Sequence, residues 1–342
     1  MHQQPSILVI YTGGTIGMVQ EPKSGVLKPL TLENLYKYLP VLENFNYTFD
    51  FYTFHPLLDS SNMHPSFWVE LATLIEHNYE VYDGFVVLHG SDTMAYTASA
   101  LSFMLENLNK PVIFTGSQLP IGMVRTDGRE NFINSIEIAA AMEDATPLVP
   151  EVAILFENKL FRGNRTSKFN AENFGAFVSG NYPFLAEVGV NIKYHRDLIL
   201  NPNFKKLKVH KDFDDNIAIL KLFPGITKNV VRSVLNTAGL KAVILETFGA
   251  GNAPTVSWFL DELKVAFAKG IILFNVTQCK GGSVEMGKYE TSAELGKIGM
   301  IGGYDITTES AVTKLMYLLG CGFPKEQVEI LLQTSLRGEM TV

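Results

Sequence analysis

Short apolar, β-branched runs at residues 7–11, 84–88, 111–115 and 152–156 alternate with segments of helical period at 66–81, 94–107 and 131–142. Parallel strands need a crossover that is usually a helix, so this alternation implies βαβ units and a mostly parallel sheet covered by helices on both faces. Near residue 180 the pattern weakens into sequence rich in Asn, Pro, Lys and Asp, most clearly at 195–215. A second series then begins with a strand at 217–222, a helix at 227–238, a strand at 241–246, a helix at 255–268 and a strand at 270–276, and ends in helices near 308–319 and 324–335. A chain of 342 residues can bury two cores. The expected organisation is an N-terminal α/β domain over 1–190, a linker over 191–215 and a smaller C-terminal α/β domain over 216–342.

Three strands in the first half are followed by turns that combine glycine with hydroxyl or carboxylate groups, and a fourth segment opens a helix with hydroxyls and a carboxylate but no glycine. The first, Thr12-Gly13-Gly14-Thr15, follows the run at 7–11, and the second, His89-Gly90-Ser91-Asp92-Thr93, follows 84–88. Leu57-Leu58-Asp59-Ser60-Ser61-Asn62 and Thr115-Gly116-Ser117-Gln118 are the others. Each read alone is a capped helix start. Capping, however, needs one polar side chain, whereas these turns repeatedly add glycine, which permits close approach of the main chain. Open α/β sheets keep their ligands beyond the carboxyl ends of the strands, where the three strand-end turns would lie. Neither GxGxxG nor GxxxxGK[ST] is present at 12–18, which counts against a phosphate loop. Lys168, in Arg165-Thr166-Ser167-Lys168, is by itself most simply a surface charge; drawn into a cleft beside a hydroxyl, an amine becomes part of a nucleophile-activating pair.

A net charge of −7 with no basic stripe argues against nucleic-acid or anionic-membrane partners. No segment approaches the roughly 20 apolar residues of a membrane span, and the apolar run after residues 1–6 has neither a basic region before it nor the length of a signal-peptide core. A cytoplasmic location is expected. Cys279 and Cys321 fit a reducing compartment, and with unclustered histidines they offer no metal-site spacing.

Residues 11–18, 89–105 and 160–168 resemble the signatures of the type I, cytoplasmic L-asparaginases, with further matches at 115–120, 249–254, 276–279 and 336–341. The resemblance covers almost the whole chain in the family's order. It implies a two-domain asparaginase-like α/β fold and hydrolysis of L-asparagine to L-aspartate and ammonia without a cofactor or metal. By resemblance Thr15 is the nucleophile that forms an acyl-enzyme, while Ser91, Asp92 and Lys168 form a second group. In that group Lys168 accepts a proton through Ser91, and Asp92 binds the substrate ammonium. Asp59, Ser60 and Ser61 resemble the residues around the substrate's α-carboxylate and α-amino ends. Main-chain N–H groups near Thr15 and Ser117 would form the oxyanion hole, and Ser117 is placed among the substrate-binding residues.

Asn252 resembles a substrate contact supplied by a neighbouring subunit, which implies a homodimer or a dimer of dimers. Ser167 and Cys279 stand where some members bind asparagine as a regulator. The chain departs from the family at 19–29, which contain no aromatic residue where many members carry a tyrosine; Val26 stands near that place. Tyr289 is then the first candidate for the base acting on Thr15, and Lys168 through Ser91 the second, with a packing aromatic the plain alternative for Tyr289. Two other functions compete: an amidotransferase subunit acting on aminoacyl-tRNA, disfavoured by the acidic charge, and a non-catalytic asparagine sensor, disfavoured by intact Thr15, Ser91, Asp92 and Lys168.

Overall fold

The computed structural model describes residues 4–20, 27–29, 38–287 and 290–342. Tyr289 and Val26 therefore lie outside the described residues. The chain forms two compact units, one comprising Met1–Ser179 and Pro183–Val209, the other Gly180–Tyr182 and His210–Val342. Residues 191–209, expected in a linker, group with the first unit.

In the first unit the elements run β1 (Ser6–Tyr11), β2 (Thr48–Thr53), α1 (Pro65–Asn78), β3 (Gly84–Leu88), α2 (Met94–Met104), β4 (Val112–Thr115), α3 (Gly128–Ala140), β5 (Val152–Phe156), β6 (Lys159–Arg162), β7 (Ala186–Val188) and β8 (Ile192–Tyr194). They build one eight-stranded sheet of order β8-β7-β6-β5-β4-β3-β1-β2. The five strands from β2 to β5 pair in parallel, and β6 to β8 extend the sheet antiparallel. β3, β4 and β5 are buried throughout, as expected for parallel strands covered on both faces. Edge strand β2 instead alternates between exposed and half-buried residues, and its polar TFDFYT sequence hid it from a search for apolar runs. β7 and β8 are three-residue strands in the region whose pattern had weakened.

α2 was expected to reach residue 107 but stops at Met104, because Leu105 and Glu106 leave the helix to pair with Val209 and Lys208. α3 starts at Gly128, three residues earlier than expected, behind Asp127.

The second unit carries a parallel four-stranded sheet, β9 (Ile217–Lys221), β10 (Ala242–Thr247), β11 (Ile272–Thr277) and β12 (Ile301–Gly302), in sequence order. Helices α4 (Lys228–Leu235), α5 (Ser257–Ala268), α6 (Glu290–Ile298), α7 (Thr308–Gly320) and α8 (Lys325–Leu332) complete it. Leu220, Val243, Leu245, Phe259, Leu263 and Leu273 lie in its core. Buried Asn275 and Thr277 brace the turn after β10: Asn275 Nδ2 donates to Gly251 O at 3.1 Å and Thr277 Oγ1 to Gly249 O at 2.6 Å.

Candidate active site

The register of the first sheet brings the carboxyl ends of its strands level, pairing Tyr11 with Thr53 on one side and Leu88 on the other, and Leu88 with Thr115. From the edge inward the order is β2-β1-β3-β4-β5, so the chain reverses direction across the sheet at β1 and β3. Such a switch point leaves a crevice beyond the strand ends. The turns carrying Thr15 and Ser91 follow β1 and β3, the two strands that flank it.

These turns are fastened to one another. Thr12 donates to Leu88 O through both its N–H and its Oγ1, each at 3.0 Å, and accepts at its own carbonyl from Leu58 N–H at 3.0 Å. Thr93 Oγ1 donates to Ser60 O at 2.6 Å. A Cβ on Gly13, where φ is +137°, would collide with the Leu58 carbonyl, and one on Gly90 would collide with the Ser60 side chain. The glycines thus serve contact between loops.

A cleft of about 370 Å³ opens among these turns, lined by Thr15, Asp59, Ser60, Ser91, Asp92, Ser117 and Lys168, together with Gln118, Gly14 and Gly90. Thr15 begins the single helical turn Thr15–Gly17 and is exposed. Below it the buried Tyr11 hydroxyl donates to Gly14 O at 3.2 Å, and burial lifts the Tyr11 phenol above its ordinary range, so this tyrosine braces the turn as a neutral donor.

Lys168 Nζ donates to Ser91 Oγ at 2.9 Å and to Asp92 Oδ1 at 2.5 Å. Lys168 reaches this place on the short ladder that Ser167–Lys168 forms with Phe177–Val178. Asp59 caps the turn Ser60–Asn62, accepting from Ser61 N at 2.8 Å and Ser61 Oγ at 2.7 Å, and the Ser61 N–H, then its hydroxyl, hold the Asp59 carboxyl below its usual range. Ser61 is exposed and is not among the lining residues; its hydroxyl serves Asp59. Ser117 Oγ donates to Leu119 O at 2.6 Å.

Three residues without an expected role shape these turns. Asp127 accepts from the N–H groups of Gln118 and Leu119 at 3.0 to 3.2 Å. Asn131 Nδ2 donates to Gly116 O at 2.9 Å. His89 is fully buried with its Nδ1 2.6 Å from Gly90 O, and burial pushes the imidazole down to about 4, the Gly90 bond opposing. The signal for His89 was a polar residue at the end of an otherwise apolar strand.

Asn252, Ser167 and Cys279 are not among the lining residues of this cleft. Asn252 belongs to the second unit, on the turn after β10 where Phe248 N–H donates to Asn252 O at 2.9 Å. Ser167 is buried in the first unit, and Cys279 is exposed in the second, its N–H donating to Thr277 Oγ1 at 3.1 Å. Among the described residues no helix is long and apolar enough to cross a membrane.

Residues 6–200 match the family model described as Asparaginase, N-terminal, and residues 216–332 match the Glutaminase/Asparaginase C-terminal domain. L-asparaginase 1 of Escherichia coli (strain K12) is 44% identical over 343 residues, 99% of either chain. L-asparaginase I from Vibrio cholerae O1 biovar eltor str. N16961 superposes with a TM-score of 0.89 at 41% identity, over 99% of this chain and 100% of that one. The thermostable L-asparaginase from Thermococcus kodakarensis gives the same TM-score at 29% identity, over 98% and 99%. The level strand ends, the switch-point cleft and the smaller parallel sheet are therefore this chain's version of the two-domain asparaginase fold, and the chain belongs to the asparaginase family.

Proposed function

We propose that the chain hydrolyses the side-chain amide of L-asparagine to L-aspartate and ammonia, with Thr15 as the nucleophile. One observation carries this reading: an exposed hydroxyl at the head of a switch-point cleft shares that cleft with a Ser91–Lys168–Asp92 group. Thr15 Oγ attacks the amide carbon, its proton passes to the base, and the C–N bond breaks as the amide nitrogen takes up that proton and leaves as ammonia. Water then attacks the Thr15 ester, releasing aspartate and restoring the hydroxyl. Ser91 and Lys168 serve that second step, and Lys168 through Ser91, or Tyr289, serves the first.

Asp92 is presented to the cleft and bonded to Lys168, so a substrate ammonium that takes the Asp92 carboxylate also removes the counter-ion of Lys168. Binding and activation of the amine are thereby coupled. Ser60 and the capped Asp59 turn hold the α-carboxylate and α-amino ends, and Ser117 lines the same cleft.

The active unit is a homodimer or a dimer of dimers in which Asn252 reaches a neighbour's substrate, and the chain works in the cytoplasm, in keeping with Cys279 and Cys321 not being joined in a disulfide. A regulatory asparagine site involving Ser167 and Cys279 would appear as a sigmoidal rate curve.

Ammonia release from L-asparagine, with no RNA or partner protein added, tests the reading against both the amidotransferase and the sensor alternatives. Thr15→Ala is expected to lower kcat by on the order of 10³-fold or more while the protein stays folded by circular dichroism. Normal turnover by folded Thr15→Ala would overturn the assignment.

A further inference from the structure

His89 takes no part in the steps above, yet it lies directly behind the turn that carries Ser91 and Asp92. Its ring is fully buried, edge-on to Phe114 with centroids 5.9 Å apart, and its Nδ1 sits 2.6 Å from the carbonyl oxygen of the next residue, Gly90. A carbonyl only accepts, so Nδ1 carries the hydrogen. Nε2 is buried as well and has no hydrogen-bond partner among the described residues, which leaves the Gly90 carbonyl as the ring's one such partner there.

The Gly90–Ser91 peptide is planar and trans, so its C=O and N–H point in opposite directions. With the Gly90 oxygen drawn to a ring inside the protein, the Ser91 N–H points away from that ring, and Gly90 and Ser91 both line the cleft. The neighbouring turns pack closely here: a Cβ on Gly90 would meet the Ser60 side chain, and one on Gly14 would meet the Gly90 main chain.

We infer that His89 is a positioning residue: its Nδ1–H holds the Gly90 carbonyl inward and so aims the Ser91 N–H at the substrate oxygen that gains negative charge as Thr15 attacks. This rests on the proposed hydrolysis. A donor fixed before reaction gives most of its benefit in the transition state, so its loss falls on kcat rather than on KM. A ring present only to fill volume would show no such split.

Two variants separate these roles. Asparagine places its Nδ2 where the histidine has Nδ1, whereas glutamine carries its amide farther out, near the place of Nε2. His89→Gln is expected to lower kcat for L-asparagine about 10²-fold with KM changed less than about threefold, and His89→Asn to stay within about fivefold of the parent. Equal activities, a glutamine variant better than the asparagine one, or a loss confined to KM would each overturn the inference.

The ¹⁵N shifts of the His89 ring in the unsubstituted protein, assigned through scalar couplings to the sequentially assigned His89 main chain, provide a readout independent of turnover. Protonated Nδ1 with bare Nε2 is expected, and the opposite tautomer overturns the inference even if neither variant folds. Should the parent release no ammonia from asparagine, the hydrolytic reading falls by itself, while the nitrogen shifts still judge the bond to Gly90.

Discussion

Lys168 and Asp92 form a close ion pair, but with their side chains 19% and 64% exposed it belongs to a class that contributes only about 0–1 kcal/mol to stability. The pair's importance must then be chemical. Lys168→Met is expected to reduce kcat by about 10² to 10⁴, while denaturant titration finds the unfolding free energy within about 1 kcal/mol of the parent. A large loss of stability with unchanged kcat would reverse that assignment.

His89 presents the opposite case. Its ordinary value of 6.5 falls to about 4 on burial, so the unfolded chain binds the proton more tightly than the folded one. Stability therefore rises with pH across that window and is lost as pH falls from about 6.5 to about 4, by roughly 3 kcal/mol for this residue. Denaturant titrations across that range should show the parent losing more stability than His89→Asn; parallel curves would contradict it. The hydroxyls and carboxylates of the cleft stood out in the sequence because turn chemistry marks them, whereas Lys168 read alone as a surface charge and was singled out only by the family resemblance. His89, Asp127 and Asn131 were not, because they act on main-chain carbonyls and amides whose directions exist only once the turns are folded.

At the level of elements, the cleft depends on how closely the turns after β1, β2 and β3 approach. A methyl group on Gly90 would meet Ser60 Oγ and Cβ. Gly90→Ala is expected to destabilise the protein by about 1–3 kcal/mol, the usual cost of overpacking, and to depress kcat/KM. Adding Ser60→Gly removes the obstructing side chain, so thermal melts of the double variant should recover most of the lost stability. KM should stay raised, since Ser60 is then missing from the substrate's charged end. Additive losses in the melts would show that the contact is not the cause.

The parallel strands and their helices were readable because burial on both faces demands unbroken apolar runs. β2 and the antiparallel β6 to β8 answer to neighbours and exposure instead of to an apolar run. The early end of α2 follows from pairing with Lys208 and Val209, more than a hundred residues away, which no local pattern announces.

At the scale of the whole molecule, the two alternating series mark two sheets, each with its own core, and the family models meet the same division at 200 and 216. What a single chain does not display is how many copies make one working site. Thr15 belongs to the first unit and Asn252 to the second, on a turn whose carbonyls accept hydrogen bonds from Asn275 and Thr277. If Asn252 serves a neighbour's cleft, Thr15→Ala and Asn252→Ala damage sites in different ways that a mixed dimer can repair. One of its two sites pairs the intact Thr15 of one copy with the intact Asn252 of the other, and its second site carries both defects. Random exchange makes half of the dimers mixed, so an equimolar mixture denatured and refolded together should regain about one quarter of parental ammonia release, although neither variant alone is active. If both residues serve one site within a single copy, every site in the mixture carries one defect and no activity returns. Sedimentation of the same sample, finding dimers or larger assemblies, ensures that an inactive mixture reports the origin of Asn252 rather than a failure to associate.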